Sequence, residues 1–400
     1  MPPAAVPRLP WGVPLDARPH LAPLFAAGFV TAAGSTGVAA TVGAEHESLG
    51  MSLSALGIFL ALYDLAEIVL KPVFGALTDR IGAKPVIIGG LVVFALASLA
   101  GVWAQGAWAL SAVRVGQGVA ASAFSPASSA AVGLLAPARV RGTYFGRYGS
   151  WKGIGYAAGP LIGALALGAG TVGVLFAALG AFAAGAALWV GLSVVSVRPA
   201  PKQRATVADL ARAVSAPAFL TPVGILAAST AVLGTLTGTI PALGHGIGLP
   251  VVVPAVAVTL LALISSLVQP QAGRLHDAGR LSTRTAFTAA MAAIVVGIAV
   301  MALLPSAGRI LIGAVLAGAG IGVATPIGFS ALASVTPPER LGRTMGTAEL
   351  GREAGEAAGP LIVSAVVAAL ALPGALLALA VLPLAAGVAG AARGSRAPTA

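Results

Sequence analysis

Long apolar runs alternate along this chain with short polar or charged segments. A helix needs about 20 largely apolar residues to cross the hydrocarbon layer of a bilayer, and the runs reach that length. Glycine, proline and charged residues mark the boundaries between them. The pattern therefore predicts an all-α membrane protein with twelve transmembrane helices, over residues 21–43, 50–72, 84–104, 107–134, 144–167, 172–195, 218–242, 250–271, 285–304, 309–334, 344–371 and 374–392.

Composition agrees with lipid as the main solvent of the chain. Hydrophobic residues make up 58% of the 400 and charged residues 9%, whereas soluble domains carry about 25% charged residues. The net charge of +11 lies in short clusters without interleaved aromatics, which argues against a nucleic-acid partner. The chain has no cysteine, and its four histidines are scattered. The sequence therefore predicts no metal site and no bound cofactor.

The basic residues fix the orientation, because cytoplasmic loops are enriched in lysine and arginine. With both termini in the cytoplasm, seventeen basic residues fall on the inner side and only Arg309 on the outer side. Residues 1–20 form a proline-rich tail without the apolar core of a cleaved signal. We therefore expect a multi-pass protein of the cell membrane with both termini cytoplasmic.

The chain contains two copies of one unit. The segment "AAGPLI" occurs at 157–162 and again at 357–362, and "PVFGALTD" at 72–79 resembles "PQAGRLHD" at 270–277. Six spans per copy give both copies the same orientation, and such parallel repeats bind substrate near the bilayer midplane between them. The predicted organisation is a cytoplasmic N-tail 1–20, a six-helix half 21–195, a cytoplasmic central loop 196–217, a second half 218–392 and a cytoplasmic C-tail 393–400.

Within the central loop, residues 207–214 ("VADLARAV") have the pattern of a short amphipathic helix that lies on the membrane. A plain hydrophilic tether between the two halves is the alternative interpretation, and the sequence does not decide between them.

Three motifs resemble signatures of the major facilitator superfamily. "GALTDRIGAK" (75–84) is similar to the family's loop 2–3 signature, "RVGQGVAA" (114–121) to its span-4 signature and "GYAAGPLIGA" (155–164) to its span-5 signature. The third is associated with the drug:proton antiporter branch, and the resemblance covers essentially the whole chain. The matching residues are Gly75, Asp79, Arg80, Gly82 and Lys84 in the first motif, Arg114 in the second, and Gly155, Gly159, Pro160 and Gly163 in the third.

This resemblance implies roles for the three motifs. Asp79 would contact the start of span 11 and hold the cytoplasmic side shut, and Arg114 would assist proton release. The span-5 glycines would form a seam with span 8 that closes the outer side. Two plainer interpretations remain open: the loop charges set only the topology, and the glycines serve only helix packing. The resemblance also implies a monomer.

Several charged residues lie inside the predicted spans, where each costs about 2.5–3.5 kcal/mol. Such residues are functional candidates by default. A buried carboxylate whose surroundings change between two states can load and release a proton. An alternative is that these groups form neutralising pairs that lock helices together. The candidates for proton coupling are Asp64, Glu67, Arg114, Glu353 and Glu356, with Lys152 and Arg352 as supporting cations at equivalent places in the two copies.

These features favour a proton-coupled exporter of a small amphipathic solute that works by alternating access. The alternative is a proton-coupled symporter that imports a nutrient, against which the span-5 motif argues. The sequence contains no G-x-x-x-x-G-K-[ST] phosphate loop and no nucleophile–base constellation, so we expect no enzyme. The expected partners are a small-molecule substrate, protons and the lipid bilayer.

Overall fold

A computed structural model describes residues 18–197, 215–303 and 306–393, which are mostly α-helical. The two tails and most of the central loop, including the 207–214 segment, lie outside the described residues. In chain order the helices are α1 Arg18–Ala44, α2 Leu53–Ile81, α3 Ala83–Gly101, α4 Gly106–Leu135, α5 Arg141–Gly168, α6 Val172–Ser193, α7 Pro217–Gly246, α8 Val252–Asp277, α9 Thr283–Leu303, α10 Ala307–Val335, α11 Leu341–Leu379 and α12 Val381–Arg393. The all-α fold class predicted from the sequence is confirmed.

The largest departure from the predicted spans is at the last boundary. A single helix, α11, runs past the predicted end of span 11, but it contains a break at Ala371, where φ is 52° and ψ is 173°. In the first half, the corresponding turn between α5 and α6 uses Gly170, with φ 142°. The two predicted spans are therefore separated at Ala371 by a local backbone kink, without a loop.

Within the described residues, nine stretches are long and apolar enough to cross a membrane, and α11 and α12 count there as one stretch. Helices α2 and α5 fall outside this set. They carry charged residues in the middle of their apolar runs, among them Asp64, Glu67 and Lys152. Helices α2 and α5 are thus less apolar than the others because they contain candidate functional charges.

The chain divides into two compact units. Unit 1 comprises Met1–Ala138, Trp151–Pro201 and Thr336–Leu350, and unit 2 comprises Arg139–Ser150, Lys202–Val335 and Gly351–Ala400. The units follow the two halves of the sequence except at the beginnings of α5 and α11, each of which packs with the opposite half. Unit 1 has a core around Phe59, Phe94 and Phe176, and unit 2 has one around Ile225, Leu236 and Ile294.

The span-5 glycines lie against α1. A Cβ atom added to Gly155 would lie 2.5 Å from the carbonyl oxygen of Phe29, and one added to Gly159 would lie 2.6 Å from that of Ala33. The nearest neighbours of Gly163 also belong to α1. These three glycines therefore pack on α1, and the seam with span 8 that the resemblance implies for closure of the outer side stays a prediction.

The glycines of α5 that do contact α8 lie nearer the start of the helix. Added Cβ atoms at Gly142 and Gly146 would meet the carbonyl oxygens of Gly273 at 3.1 Å and of Gln269 at 2.4 Å. Small residues permit such close approach of helix backbones in a membrane protein. The first turns of α5 thus pack on α8 within unit 2, and the later turns pack on α1 within unit 1.

Pro160 explains one polar contact in the α1–α5 seam. Proline has no N–H, so Pro160 leaves the carbonyl of Tyr156, four residues earlier, without its normal helical donor. The hydroxyl of Thr36 on α1 donates to that carbonyl at 2.9 Å. A side chain of the neighbouring helix therefore supplies the hydrogen bond that the proline removes.

The seam predicts a sharp contrast between two Gly→Ala substitutions. Gly159→Ala should lower the free energy of unfolding by about 1–3 kcal/mol, because the new methyl group overlaps backbone atoms of α1. Gly185→Ala in α6 is the matched control, since no atom lies within 4 Å of its added Cβ. It should leave stability unchanged or raise it by up to about 1 kcal/mol. Unfolding of both variants in detergent micelles measures the difference, and equal stabilities would contradict the packing described.

Candidate functional site

Asp79 lies in the last turn of α2 and binds the first turn of α11. Its Oδ1 accepts a hydrogen bond from the N–H of Gly342 at 2.6 Å, and its Oδ2 accepts one from the N–H of Arg343 at 3.0 Å. The positive end of a helix favours a carboxylate at this position. This is the neighbour that the family resemblance implies for Asp79. We call this arrangement, which lies within unit 1, the Asp79 clamp.

The other residues of the loop motif shape this clamp. Gly75 lies so close to α11 that an added Cβ would be 2.6 Å from the carbonyl oxygen of Gly342. Gly82 ends α2 with φ 93°, a conformation that favours glycine. Arg80 is exposed and Lys84 is half-buried. The glycines therefore bring the two helices together, and neither cation takes part in the hydrogen bonds of the clamp.

The surroundings of Asp79 change its titration. Burial raises the pKa of the carboxyl to about 6, although the N–H donors of Arg343 and Gly342 and the charge of Arg343 lower it. Desolvation thus outweighs the stabilisation of the charged form.

Unit 2 contains a matching clamp at Asp277, the last residue of α8. Its Oδ1 accepts from the N–H of Gly142 at 2.9 Å, and its Oδ2 accepts from the N–H and the hydroxyl of Thr143 at 2.7 and 2.6 Å. The charged residues around Asp277 are spaced differently from those around Asp79, so motif matching undervalues it. The internal repeat is the signal that finds it, because Asp277 aligns with Asp79 and Gly142 with Gly342.

Glu67 and Lys71 form a buried ion pair on α2. The Glu67 Oε1 and Lys71 Nζ atoms are 3.1 Å apart, and the residues are 7% and 0% exposed. They are four residues apart and therefore neighbours on one helix face. Glu67, a candidate for proton coupling, thus lies in a protein interior with a fixed cation beside it.

Arg114 on α4 is held beside these residues. It is 3% exposed, and its Nη2 donates to the carbonyl of Ser35 on α1 at 3.0 Å. Its guanidinium carbon lies 4.2 Å from the ring centroid of Tyr63, a cation–π contact. The charges of Asp64 and Glu67 act on it. The structure therefore brings three candidate residues, Asp64, Glu67 and Arg114, into one neighbourhood of unit 1, together with Tyr63, which the sequence did not single out.

Lys152 belongs to a second buried group in unit 1. Its Nζ donates to Ser125 Oγ on α4 at 2.9 Å and lies 3.9 Å from Glu349 Oε2 on α11. Ser129 Oγ donates to the other oxygen of Glu349 at 3.1 Å. Glu349 is 1% exposed and Lys152 is 9% exposed. Glu349 shares a helical face with Glu353 and Glu356, but helical spacing alone does not show which of the three acids is buried.

The remaining candidates lie in unit 2 and have other surroundings. Arg352 lies over the ring of Phe329, with 5.9 Å from its guanidinium carbon to the ring centroid. Glu353 is half-buried and Glu356 is exposed. The side chain of Glu356 lies against α7, since a Cβ added to Gly234 would be 2.9 Å from its Cγ. Lys152 and Arg352, equivalent by repeat, thus have a carboxylate and an aromatic ring as their respective neighbours.

The sequence matches a known protein family over most of its length. The family model described as "Major Facilitator Superfamily" matches residues 24–310 and 233–399, which together cover most of the chain. The chain belongs to the major facilitator superfamily. It is therefore a multi-pass membrane protein, and it resembles the drug:proton antiporter branch, as the sequence motifs predict.

Curated relatives match over shorter stretches. The chain is 32% identical over 109 residues to the class H tetracycline resistance protein of Pasteurella multocida, covering 27% of each chain. It is 36% identical over 148 residues to the methylenomycin A resistance protein of Streptomyces coelicolor, covering 36% of this chain and 31% of that protein. The matched part thus spans only about a third or less of the length of these relatives.

Solved structures of the superfamily share the fold. The human organic anion transporter MFSD10 aligns with a TM-score of 0.78 at 19% identity, over 94% of this chain and 100% of that chain. The Escherichia coli fucose:proton symporter FucP aligns with a TM-score of 0.75 at 14% identity, over 92% of this chain and 97% of that chain. Identities this low establish the architecture of the transporter and leave its substrate open.

Within the described residues, no group of three or more histidine, aspartate or glutamate side chains is arranged to hold a metal ion. The chemistry that the described charges can perform is the binding and release of protons by carboxylates that have basic neighbours.

The Asp79 clamp predicts an unusual aspartate titration. The infrared difference between the wild type and Asp79→Asn should contain a carboxyl band that titrates near pH 6, because burial favours the protonated form. In the protein unfolded by detergent the same band should move to about 3.8, the ordinary value. A midpoint near 4 in the folded protein would mean that the carboxylate is solvated and the clamp is not formed.

Proposed function

We propose that this transporter exports a small amphipathic solute from the cell in exchange for protons. The observation that carries the proposal is the buried cluster of Glu67, Lys71 and Arg114 in unit 1, with Asp64 beside it. A charged group in such surroundings is expensive unless it has a function or a partner. Here Glu67 and Lys71 are partners of each other. Asp64, which lies outside this pair, provides a further site that a proton can enter or leave.

The cluster supports coupling because its charges respond to one another. A proton that binds Glu67 removes the negative partner of Lys71 and leaves Lys71 as an uncompensated buried cation. The cost of that isolated charge favours a rearrangement in which the carboxylate meets water on the other side of the membrane and loses its proton. Each proton that enters down a membrane potential of 100 mV supplies about 2.3 kcal/mol, enough to accumulate a solute on the order of fiftyfold.

The two aspartate clamps supply a gate on the proposed cytoplasmic side. Each one binds the backbone N–H groups at the start of a helix in the other half of the sequence, so opening on that side breaks them. Asp79 and Asp277 are assigned this role in alternating access. The basic loops and the repeat support the placement of both termini in the cytoplasm, and the protein is proposed to act as a monomer in the cell membrane.

The direction of transport is proposed to be outward. The span-5 motif, Gly155, Gly159, Pro160 and Gly163, supports this direction, as do relatives named for resistance to tetracycline and methylenomycin A. Import of a nutrient by proton symport is the second candidate, because the same fold is found in the fucose:proton symporter FucP. A drug-sensitivity panel with cells that do and do not produce the protein identifies a substrate, with tetracycline as the first compound.

The two directions are separated in inside-out vesicles with an acidic lumen. An exporter takes the identified compound up into these vesicles when the pH gradient is imposed, and collapse of the gradient stops the uptake. An importer gives no uptake of that kind and instead releases preloaded compound. Release driven by the gradient would overturn the proposal of export.

The proposal predicts a specific loss in Asp64→Asn and Glu67→Gln. Gradient-driven accumulation should fall to the equilibrium level, a loss on the order of fiftyfold at 100 mV, whereas exchange of labelled for unlabelled solute should continue. Glu47→Gln is the matched control, because Glu47 is exposed in the α1–α2 loop, and its transport should be normal. Full gradient-driven accumulation by both α2 variants would remove this cluster from the coupling mechanism.

A further inference from the structure

Besides the Asp79 clamp, the first part of α11 is attached to α4 and α5 by Glu349, an acid that the proposed mechanism does not use. Residues Thr336–Leu350 belong to unit 1 and the residues from Gly351 onward to unit 2, so Glu349 lies next to the point where α11 passes from one unit to the other. It bonds Ser129 on α4 and pairs with Lys152 on α5. Lys152 lies equally near the point at which α5 changes units, between Ser150 and Trp151.

Unit 2 has no acid at the equivalent position. Glu349 corresponds to Gly149, and Ser129 corresponds to Phe329, at an offset of 200 residues. Phe329 stacks on Phe145 with 5.8 Å between ring centroids, in place of a polar network. If the region needed only firm packing, an aromatic contact would provide it, as it does in unit 2. The acid in unit 1 therefore indicates a function that depends on charge.

Neutralising Glu349 would weaken this anchor selectively. A buried ion pair that loses one partner is strongly destabilised, because the remaining charge is left uncompensated. Lys152 retains its hydrogen bond to Ser125 on α4, and so it stays in place when its attraction for α11 is lost. The change therefore falls on the attachment of α11, while the α4–α5 contact remains.

The groups that face Glu349 set its response to protons. They are Lys152 from α5 and the hydroxyl of Ser129 from α4, and Lys152 is itself bound to the hydroxyl of Ser125 on α4. Helix α2 contributes the Lys71–Glu67 pair, since the carbonyl of Lys71 lies against Gly346, one turn before Glu349. The charged residues that follow on α11 itself are Arg352, Glu353 and Glu356.

We propose that Glu349 and Lys152 form a proton-operated latch. When Glu349 is ionised, the latch holds the first part of α11 on α4 and α5. When Glu349 binds a proton, the latch releases that part and allows the Asp79 clamp at the start of α11 to open. The inference deepens the proposed function, because it names a second proton-binding residue and the helix on which it acts.

The test measures the position of α11 directly and needs no substrate. Because the chain has no cysteine, spin labels can be placed at Arg80→Cys and Glu339→Cys, two exposed positions on either side of the Asp79 clamp. Pulsed electron paramagnetic resonance then gives the distance between α2 and the turn before α11. Glu349→Gln mimics the protonated state and should raise the ratio of long to short distances by at least about tenfold. Glu47→Gln should leave the ratio unchanged.

A pH series separates the latch from simple packing. Between pH 8.5 and 5.5 the distance ratio should change in the wild type and change less in Glu349→Gln, in which only Asp79 still responds at this end of α11. A purely structural role would lower the melting temperature of Glu349→Gln without changing the distances in the folded protein. Unchanged distances, or the same pH response in both proteins, would overturn the proposal.

A double variant covers the case in which the single variant does not fold. Glu349→Gln with Lys152→Met removes both charges and leaves no buried ion without its partner. It should fold and show the long distances, and wild-type distances in this variant would equally overturn the latch. The distance measurement does not involve transport. It therefore tests the latch even if the proposed proton-coupled export is shown to be wrong.

Discussion

A charge inside an apolar helix bundle must find a partner, and this constraint organises unit 1. Two pairs, Glu67 with Lys71 and Glu349 with Lys152, account for four of the five buried charged residues described there, and Arg114 is the fifth. The first pair lies within one helix, whereas the second joins α5 to α11. Because breaking either pair would leave an isolated buried ion, the pairs favour arrangements in which these side chains of α2, α5 and α11 stay in the interior.

Close backbone contact makes these pairings possible. Where α5 meets α1 and where α11 meets α2, glycines remove the side chains that would hold the helices apart. The donors and acceptors exposed by this closeness are then satisfied across helices, as when Thr36 replaces the N–H that Pro160 lacks. The close packing of the helices and the hydrogen bonds between them thus depend on each other. A larger residue in the seam would disturb both.

The periodic part of this structure follows from the sequence. Apolar runs predict the helices, and the repeat of 72–79 at 270–277, an offset of 198 residues, aligns Asp277 with the more recognisable Asp79. The sequence does not predict in the same way which face of each helix meets which neighbour, because this depends on packing between distant parts of the chain. For that reason the sequence did not identify α1 as a neighbour of the span-5 glycines, and it did not favour Glu349 over Glu353 and Glu356, which share its helical face.

Both clamps recognise main-chain N–H groups, which every residue type except proline possesses. The identity of Arg343 or Thr143 can therefore drift without loss of the amide bonds, provided that the adjacent glycine preserves the approach. Co-variation between residue pairs would consequently miss these contacts, although they fasten distant parts of the chain. Analysis of sequence co-variation therefore does not detect contacts in which a side chain binds the peptide backbone of its partner.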